Sequence, residues 1–403
     1  MLVTNASTKF DGSDIRIEEA IRLMTHFADR TGLTSERPQQ RYLWTDAFAV
    51  CNFLALARKT AELRYTELAL LLVDRVHHTL GRYRPDDSRT GWLSGLGEPD
   101  GAAHPTRGGL RIGKKLPERA AGEPFDEQLE WDRDGQYFHY LTKWMHALNQ
   151  VSRFTKQARF NLWARELAQA GYAAFSRRPA PGAPPRMVWK MSIDLSGPLA
   201  RPLVASMGQH DPLDGFITCA QLRATASELS DRWDGPSLQQ EMAGFAAMTS
   251  AAEWVTSDPL GMGGLLMDAW RVEQLSAGSL PPGLSSTLLR AALEGVRYYG
   301  RHGELRQPAF RRLAFRELGL TIGLHAVEIM ERELQAGHLP TSTDLNASLA
   351  EFRSYVAVGS AIESFWLAPE HRETRTWAEH RDINEVMLAT SLVPEGFLVL
   401  PPT

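Results

Sequence analysis

The sequence predicts an all-α fold, and within that class an (α/α)6 toroid, six helical hairpins set in a ring around a central funnel. Three observations lead there. Apolar residues recur at three-four spacing almost throughout the 403 residues, they mark out twelve helical segments, and the long connections fall on one parity of those segments only. Alternating β-branched runs are missing apart from a short extended piece from Met187 to Ile193. A two-layer α-solenoid is the competing arrangement.

The first helix is predicted over 14–30, where Ile17, Ala20, Ile21, Met24, Phe27 and Ala28 follow Ser13 and Asp14 and stop at Gly32. The second, over 45–60 (TDAFAVCNFLALA and onward), is apolar nearly all round and reads as buried. The third, over 64–80, keeps Glu67, Asp74, Arg75 and His78 on one side and reads as half-exposed. The same reading gives 136–153, 156–175, 214–230, 237–255, 264–276, 284–300, 309–335, 343–362 and 381–391, with odd-numbered helices outer and even-numbered ones inner. Inner-to-outer joins (61–63, 154–155, 231–236, 277–283, 336–342) are short. Outer-to-inner joins include a Gly-rich one over 81–135 and a Pro-rich one over 176–213, and segments of that length in a packed domain carry function or lack order. One domain over 1–403 follows. The inner helices then run parallel, their N-termini share one rim, and the long loops crown that rim.

Composition excludes several classes. With 44 basic and 48 acidic residues and a net charge of -4, the chain lacks the basic excess of a nucleic-acid binder. Seven lysines against 37 arginines reflect composition bias rather than chemistry. Two cysteines, Cys51 and Cys219, cannot build a disulfide framework or a four-thiolate zinc site, and neither has a His partner in view. The N-terminal stretch lacks a signal-peptide core, and no window holds about 18 uninterrupted apolar residues. The expectation is a cytoplasmic protein with no membrane and no nucleic-acid partner. Phosphate loops are absent, since GMGG at 261–264 is short and follows no strand. HExxH is absent too; His77 and His78 sit on an outer helix, and Asp86-Asp87-Ser88 reads as a solvated turn, so neither a metal nor a cofactor is expected.

The segments that enter the inner helices carry the chemistry: RYLWTD at 41–46, EWDRDGQYFHY at 130–140, SMGQHDPLDG at 206–215, DPLGMGG at 258–264, ELRQPAFRR at 304–312 and WAEHRDINE at 377–385. Aromatic rings beside carboxylates suit a saccharide, because ring faces pack on sugar C–H surfaces while Asp, Arg and Gln bind hydroxyls. Trp44, Trp131, Tyr137 and Trp377 are the candidate faces; each could equally close a helix end. Asp46 either caps its helix or serves as a base. Asp134, next to Gly135, is the candidate general acid. Gln136, His139, Tyr140 and Lys143 form a polar stripe on an otherwise apolar helix, which needs partners or a wet cavity. His210 and Asp211 either belong to the site or form a turn and cap. His380 stands at the head of the last inner helix, where Asp382 and Glu385 match a capping box. Arg312 is a candidate anion binder, while Arg316 and Glu317 form either an internal pair or part of the site.

These segments, W-T-D at 44–46 and W-D-R-D-G-Q-Y at 131–137 above all, resemble the six-hairpin glycosidase-like superfamily, which includes glycoside hydrolases and N-acylglucosamine 2-epimerase-like isomerases. The resemblance implies a sugar-active toroid. Hydrolysis with Asp134 as acid and Asp46 as base is the first form, since an inverting hydrolase places two carboxyl groups about 6.5–9.5 Å apart. Epimerisation or isomerisation with His139 or His380 moving a proton is the second. A non-catalytic saccharide-binding or protein-interaction toroid is the third. The expected ligand is a saccharide, with an anionic one favoured by helix N-termini and by Arg311, Arg312 and Arg381 at the rim. Oligomeric state is left open.

Overall fold

The computed structural model of the chain describes residues 12–402, except 121, 179–184, 201–207, 230–233, 250–251, 276–277 and 340–341. Its helices are α1 (Gly12–Arg30), α2 (Leu43–Thr60), α3 (Leu63–Leu80), α4 (Glu98–Ala103), α5 (Glu127–Asp132), α6 (Phe138–Thr155), α7 (Ala158–Phe175), α8 (Asp211–Leu229), α9 (Gln239–Thr249), α10 (Pro259–Glu273), α11 (Leu284–Arg301), α12 (Ala314–Gln335), α13 (Thr343–Phe352), α14 (Val356–Leu367), α15 (Pro369–Arg372), α16 (Arg375–Glu379), α17 (Arg381–Leu392) and α18 (Glu395–Leu398). Short strands β1 (Gln136–Tyr137), β4 (Lys190–Met191) and β5 (Pro198–Ala200) form one antiparallel sheet in the order β1-β4-β5, and β2 (Ser176–Arg177) pairs with β3 (Arg186–Met187).

Ring closure distinguishes the toroid from a solenoid. Helix α2 packs on α6, α6 on α8, α8 on α10, α10 on α12, α12 on α17, and α17 returns to α2. Around them stand α1 (on α17 and α2), α3 (on α2), α7 (on α6 and α8), α9 (on α8), α11 (on α10) and the α13–α14 pair (on α12). Inner and outer helices differ as their patterns dictate. Every residue of α2 from Leu43 to Ala57 is buried, whereas α3 buries only one face, through Tyr65, Ala69, Leu72, Val73, Val76, His77 and Leu80.

Two hairpins turn by the same device. Both α2 and α6 end on a left-handed residue, Ala61 (φ 58°) and Lys156 (φ 60°), which reverses the chain within two residues. Helices α10 and α12 meet backbone to backbone: a methyl group on Gly263 would lie 2.0 Å from the Gly319 carbonyl oxygen, and one on Gly323 would lie 2.7 Å from the Gly263 Cα. The GMGG segment is thus a helix-crossing surface. It is helical because α10 begins at Pro259, earlier than the expected 264, after Asp258 caps the Gly261 N–H at 3.1 Å.

Other boundaries also moved. The segment expected over 309–335 opens with a 3₁₀ turn at 309–311 before α12, the one expected over 343–362 breaks into α13 and α14, and the one expected over 237–255 is the shorter α9. The 81–135 join is described except for residue 121. It carries α4 and α5 and is tied by Arg84 to Asp86 (2.7 Å) and by Arg89 to Asp87 (2.9 Å) and Asp194 (2.8 Å). Part of the 176–213 join lies outside the described residues; the rest carries β2 to β5 and the start of α8.

The chain from α18 onward fills the base of the funnel, at the C-terminal ends of the inner helices. Phe397 stacks on Phe48 of α2 (4.3 Å between centroids, 5° between planes), and its carbonyl accepts from His146 Nε2 at 2.9 Å. Gln150 donates to the carbonyls of Gly396 (3.0 Å) and Val399 (2.9 Å), and Gln274 donates to that of Leu398 (2.9 Å). The base is closed, and the candidate site residues gather at the opposite end.

Candidate active site at the funnel mouth

The mouth is built from the first turns of inner helices. Trp44 sits in the first turn of α2. Tyr137 ends β1, held in register opposite Lys190 of β4, and passes directly into α6 with His139, Tyr140 and Lys143. Asp211 and Asp214 occupy the first turn of α8, where helix-end N–H groups favour carboxylates.

Aromatic rings form a continuous arc. Centroid distances run 4.6 Å from Trp131 to Trp189, 4.8 Å from Trp189 to Tyr137, 5.2 Å from Tyr137 to Tyr140 and 5.4 Å from Tyr140 to Trp44. The His139 ring lies nearly parallel to Tyr137 (5.4 Å, 19°) and 6.3 Å from Trp44, and the Tyr42 and Tyr140 hydroxyls are hydrogen-bonded at 2.8 Å. Below the arc, His139 Nδ1 stands 3.8 Å from Asp211 Oδ1. Asp214 is held by the Lys143 amine (2.6 Å), the Arg271 guanidinium (3.0 Å) and the Thr142 hydroxyl. Arg271 also reaches Asp268 (2.9 Å) and Gln221 (2.9 Å), and Gln221 meets His146 at 3.2 Å. A polar chain therefore runs from the mouth down to the Phe397 carbonyl.

Burial and neighbouring charge set the protonation states. Burial pushes Asp211 up to about 7; the negative Asp214 adds to this and Lys143 opposes it. Burial favours neutral Asp214 as well, but Lys143 and Arg271 outweigh it and hold that carboxyl below its ordinary range. Burial and then Asp214 raise Asp268 to about 6. His139 is pushed down to about 3, first by the desolvating funnel walls and then by Lys143, although 32% of its side chain stays exposed and reachable. At neutral pH the mouth thus pairs a neutral imidazole with a carboxyl near its midpoint. Three buried polar atoms here, Trp44 Nε1, Tyr137 Oη and Asp211 Oδ2, have no hydrogen-bond partner among the described residues.

The expected site residues divide. Trp44, Tyr137, His139, Tyr140, Lys143 and Asp211 come together at the mouth, and Trp131 ends the arc, partly exposed. Asp134 is fully buried, but Arg111 Nη1 binds it at 2.5 Å and the N–H groups of Gly113 (3.0 Å) and Gly135 (3.1 Å) take its other oxygen, so it knots the 81–135 join. Asp46 accepts from the Tyr42 N–H (3.0 Å) and from Arg41 (3.4 Å) as a helix cap; burial raises it to about 6 against Arg41. Gln136 spans the Leu110 N–H (2.8 Å) and the Ile193 carbonyl (2.7 Å) as a brace. His210 meets the Trp254 carbonyl at 2.9 Å. Arg312 is closed onto Glu317 (2.7 Å), and Arg316 pairs with Asp258 (2.7 Å). Trp377 is buried and stacks on Trp366 (5.6 Å). His380 is exposed on the rim, edge-on to Phe315 at 5.6 Å.

Sequence reasoning passed over Trp189, Lys114, Asp268 and Arg271, and took Asp214 only as the second carboxylate of the 206–215 segment. The Asp268–Arg271 spacing inside an apolar helix was a usable signal, because a charge pair on a buried face needs a third partner. A cavity of about 640 Å³ lies at the opposite end, between α1, α12 and the end of α17. Its Arg16, Lys59 and His325 are already paired with Glu363, Glu395 and Glu328, and it has no aromatic wall. Among the described residues, no group of three or more His, Cys, Asp or Glu side chains is arranged to hold a metal, and no helix is long and apolar enough to cross a membrane.

A closed ring of six inner helices with six outer positions around it, carrying aromatic and acidic residues at one mouth, is an (α/α)6 toroid. The chain is similar in structure to the cellobiose 2-epimerase from Spirochaeta thermophila, with a TM-score of 0.51 over 96% of this chain and 98% of that one, at 14% identity. No family model and no curated protein sequence matches it.

Proposed function

We propose that the chain is a saccharide epimerase or isomerase that moves a proton at a carbon next to a sugar carbonyl, with His139 and Asp211 as the acid and base. The observation that carries this is the neutral imidazole 3.8 Å from a carboxyl raised to about 7, beneath a continuous aromatic arc. Proton removal and return work best with a group that titrates near the working pH, which Asp211 supplies, while His139 stands beside it uncharged at that pH. The arc supplies ring faces for the sugar, and Trp44 Nε1–H and Tyr137 O–H, buried with no hydrogen-bond partner among the described residues, are the donors left for its hydroxyls. Such a transfer needs only side chains. Likeness to a cellobiose 2-epimerase supports the same direction at the level of fold.

Hydrolysis by Asp134 and Asp46 has weaker support, because each carboxyl is already engaged by an arginine and by backbone N–H groups. Incubation with a panel of reducing mono- and disaccharides in D2O, followed by proton NMR, tests the reading. The expected result is deuterium at the carbon beside the carbonyl together with the epimeric or isomeric sugar, lost in His139→Asn and Asp211→Asn. Cleaved sugars without exchange, or no exchange with any sugar, would overturn it.

A further inference from the structure

Lys114 and Lys190 approach the same phenol ring, their amines 5.4 and 5.7 Å from the Tyr137 centroid. Their situations differ. Lys190 is fully buried and satisfied: it donates to the carbonyls of Glu130 (2.7 Å) and Arg133 (2.9 Å) and pairs with the Glu130 carboxylate (3.4 Å). Lys114 is half-buried; among the described residues it has no carboxylate within ion-pair distance and makes one hydrogen bond, to the Trp131 carbonyl. An ammonium carries three donors, so two remain. Asp134 lies near but is taken by Arg111 and Arg84 (3.5 Å), and Asp132 is near and exposed. Burial, and then Lys190, press Lys114 down to about 8, so it is cationic at neutral pH but loses charge soon above it. Beside it, Tyr137 is only 3% exposed, its hydroxyl has no partner among the described residues, and its ring lies against His139.

An under-coordinated cation 5.4 Å from the centre of a ring whose hydroxyl has no partner among the described residues, at the edge of the aromatic arc, is a place for an anionic group. We infer that the substrate of this site is a sugar acid, whose carboxylate is held by the Lys114 amine and the Tyr137 hydroxyl while the ring lies along the arc toward His139 and Asp211. This rests on the saccharide reading above. A carboxylate fits better than a phosphate, since one lysine and one phenol match a monoanion with two oxygens, whereas a dianion with three calls for more donors.

Calorimetric titration of the full chain with D-glucuronate, D-mannuronate, their parents D-glucose and D-mannose, and D-glucose 6-phosphate tests it. At least one uronate binds roughly ten-fold or more tightly than its neutral parent, as expected for one charge-assisted hydrogen-bonded pair. That advantage disappears in Lys114→Met, persists in Lys114→Arg, shrinks in Tyr137→Phe, and falls as salt rises or as pH passes 8. His139→Asn keeps the preference, because it removes proton transfer and not the anion site. Equal binding of uronates and parents, or a preference that survives Lys114→Met, overturns the inference; deuterium exchange with neutral sugars would then still support the saccharide reading. A preference for the sugar phosphate overturns the carboxylate assignment, and no binding of any sugar overturns both.

Discussion

Asp211 and Asp134 are both aspartates just ahead of or within the first turn at the mouth, yet the protein uses them in opposite ways. Asp211 keeps one oxygen without a partner among the described residues and its carboxyl raised, so its folded form binds a proton more tightly than its unfolded form does. The sign follows: the native state is favoured below the ordinary carboxyl range near pH 4, and that stabilisation is lost as pH climbs to about 7. Asp211→Asn should therefore abolish proton exchange yet be more stable than the parent at pH 8, by roughly a few kcal/mol, since each tenfold change in proton affinity is worth about 1.4 kcal/mol; the gain should vanish near pH 4. Equal melting at both pH values in calorimetry would refute it. Asp134→Asn should do the reverse, leaving the mouth chemistry in place while destabilising by about 3–5 kcal/mol, because Arg111 is left as a buried charge without its partner. Denaturant titration would show this, and a loss under about 1 kcal/mol would argue against the knot. Sequence could not separate the two, since the deciding partner, Arg111, stands 23 residues from Asp134 on a join whose path no periodicity records.

At the scale of helices, the contacts between elements are of two kinds. Gly263, Gly319 and Gly323 let α10 and α12 touch through bare backbone, so Gly263→Ala should cost about 1–3 kcal/mol by forcing the helices apart, with a lower melting temperature as the readout. An unchanged melting temperature would mean that the crossing is looser than these distances say. His325 joins α12 to α14 by electrostatics: Nδ1 meets Glu328 at 2.7 Å and Nε2 meets Glu363 at 2.9 Å, while Glu363 also binds Arg16 of α1 at 2.7 Å. Burial opposes its charge, but the two carboxylates prevail and raise it to about 9. Stabilisation from this staple is complete below the unfolded value near 6.5 and is lost as pH rises through 9. His325→Gln should thus be less stable than the parent at pH 6 and match it at pH 10; a constant difference across that range would exclude the charged staple. The helices were legible because a buried α2 and a one-faced α3 write different patterns. Trp189 was not, because its value lies in a two-residue strand pairing, Tyr137 with Lys190, that crosses 53 positions. Trp377 was misplaced as a sugar face for a related reason: its ring turns inward onto Trp366 instead of toward the funnel.

For the molecule as a whole, the funnel is a blind well, and its floor is the chain's own tail. Removing the Phe397 side chain should cost about 3–5 kcal/mol by the usual penalty for a large buried aromatic. It should also perturb the mouth, because His146, Gln221, Arg271 and Asp214 link floor to rim through consecutive hydrogen bonds. A Phe397→Leu variant that keeps most of the packing separates the two effects: it should recover most of the stability and all of the sugar affinity. Loss of affinity in Phe397→Leu at full stability would show that the floor senses side-chain shape directly.

Ring closure has a bearing on how the chain is made. The circle is fastened by pairs such as Arg16 with Glu363 and Arg30 with Asp382, whose members lie 347 and 352 positions apart. As a ribosome releases the chain, α1 and the exposed flank of α2 must wait, apolar faces uncovered, until α17 has emerged, which at about 5–20 residues per second is a delay of tens of seconds. Helix α17 thus acts as a clasp. A ring assembled in this order offers its seam to any other apolar surface for longer than any other part of the fold, which makes the α1–α17 seam the place where misassembly between two nascent copies would begin.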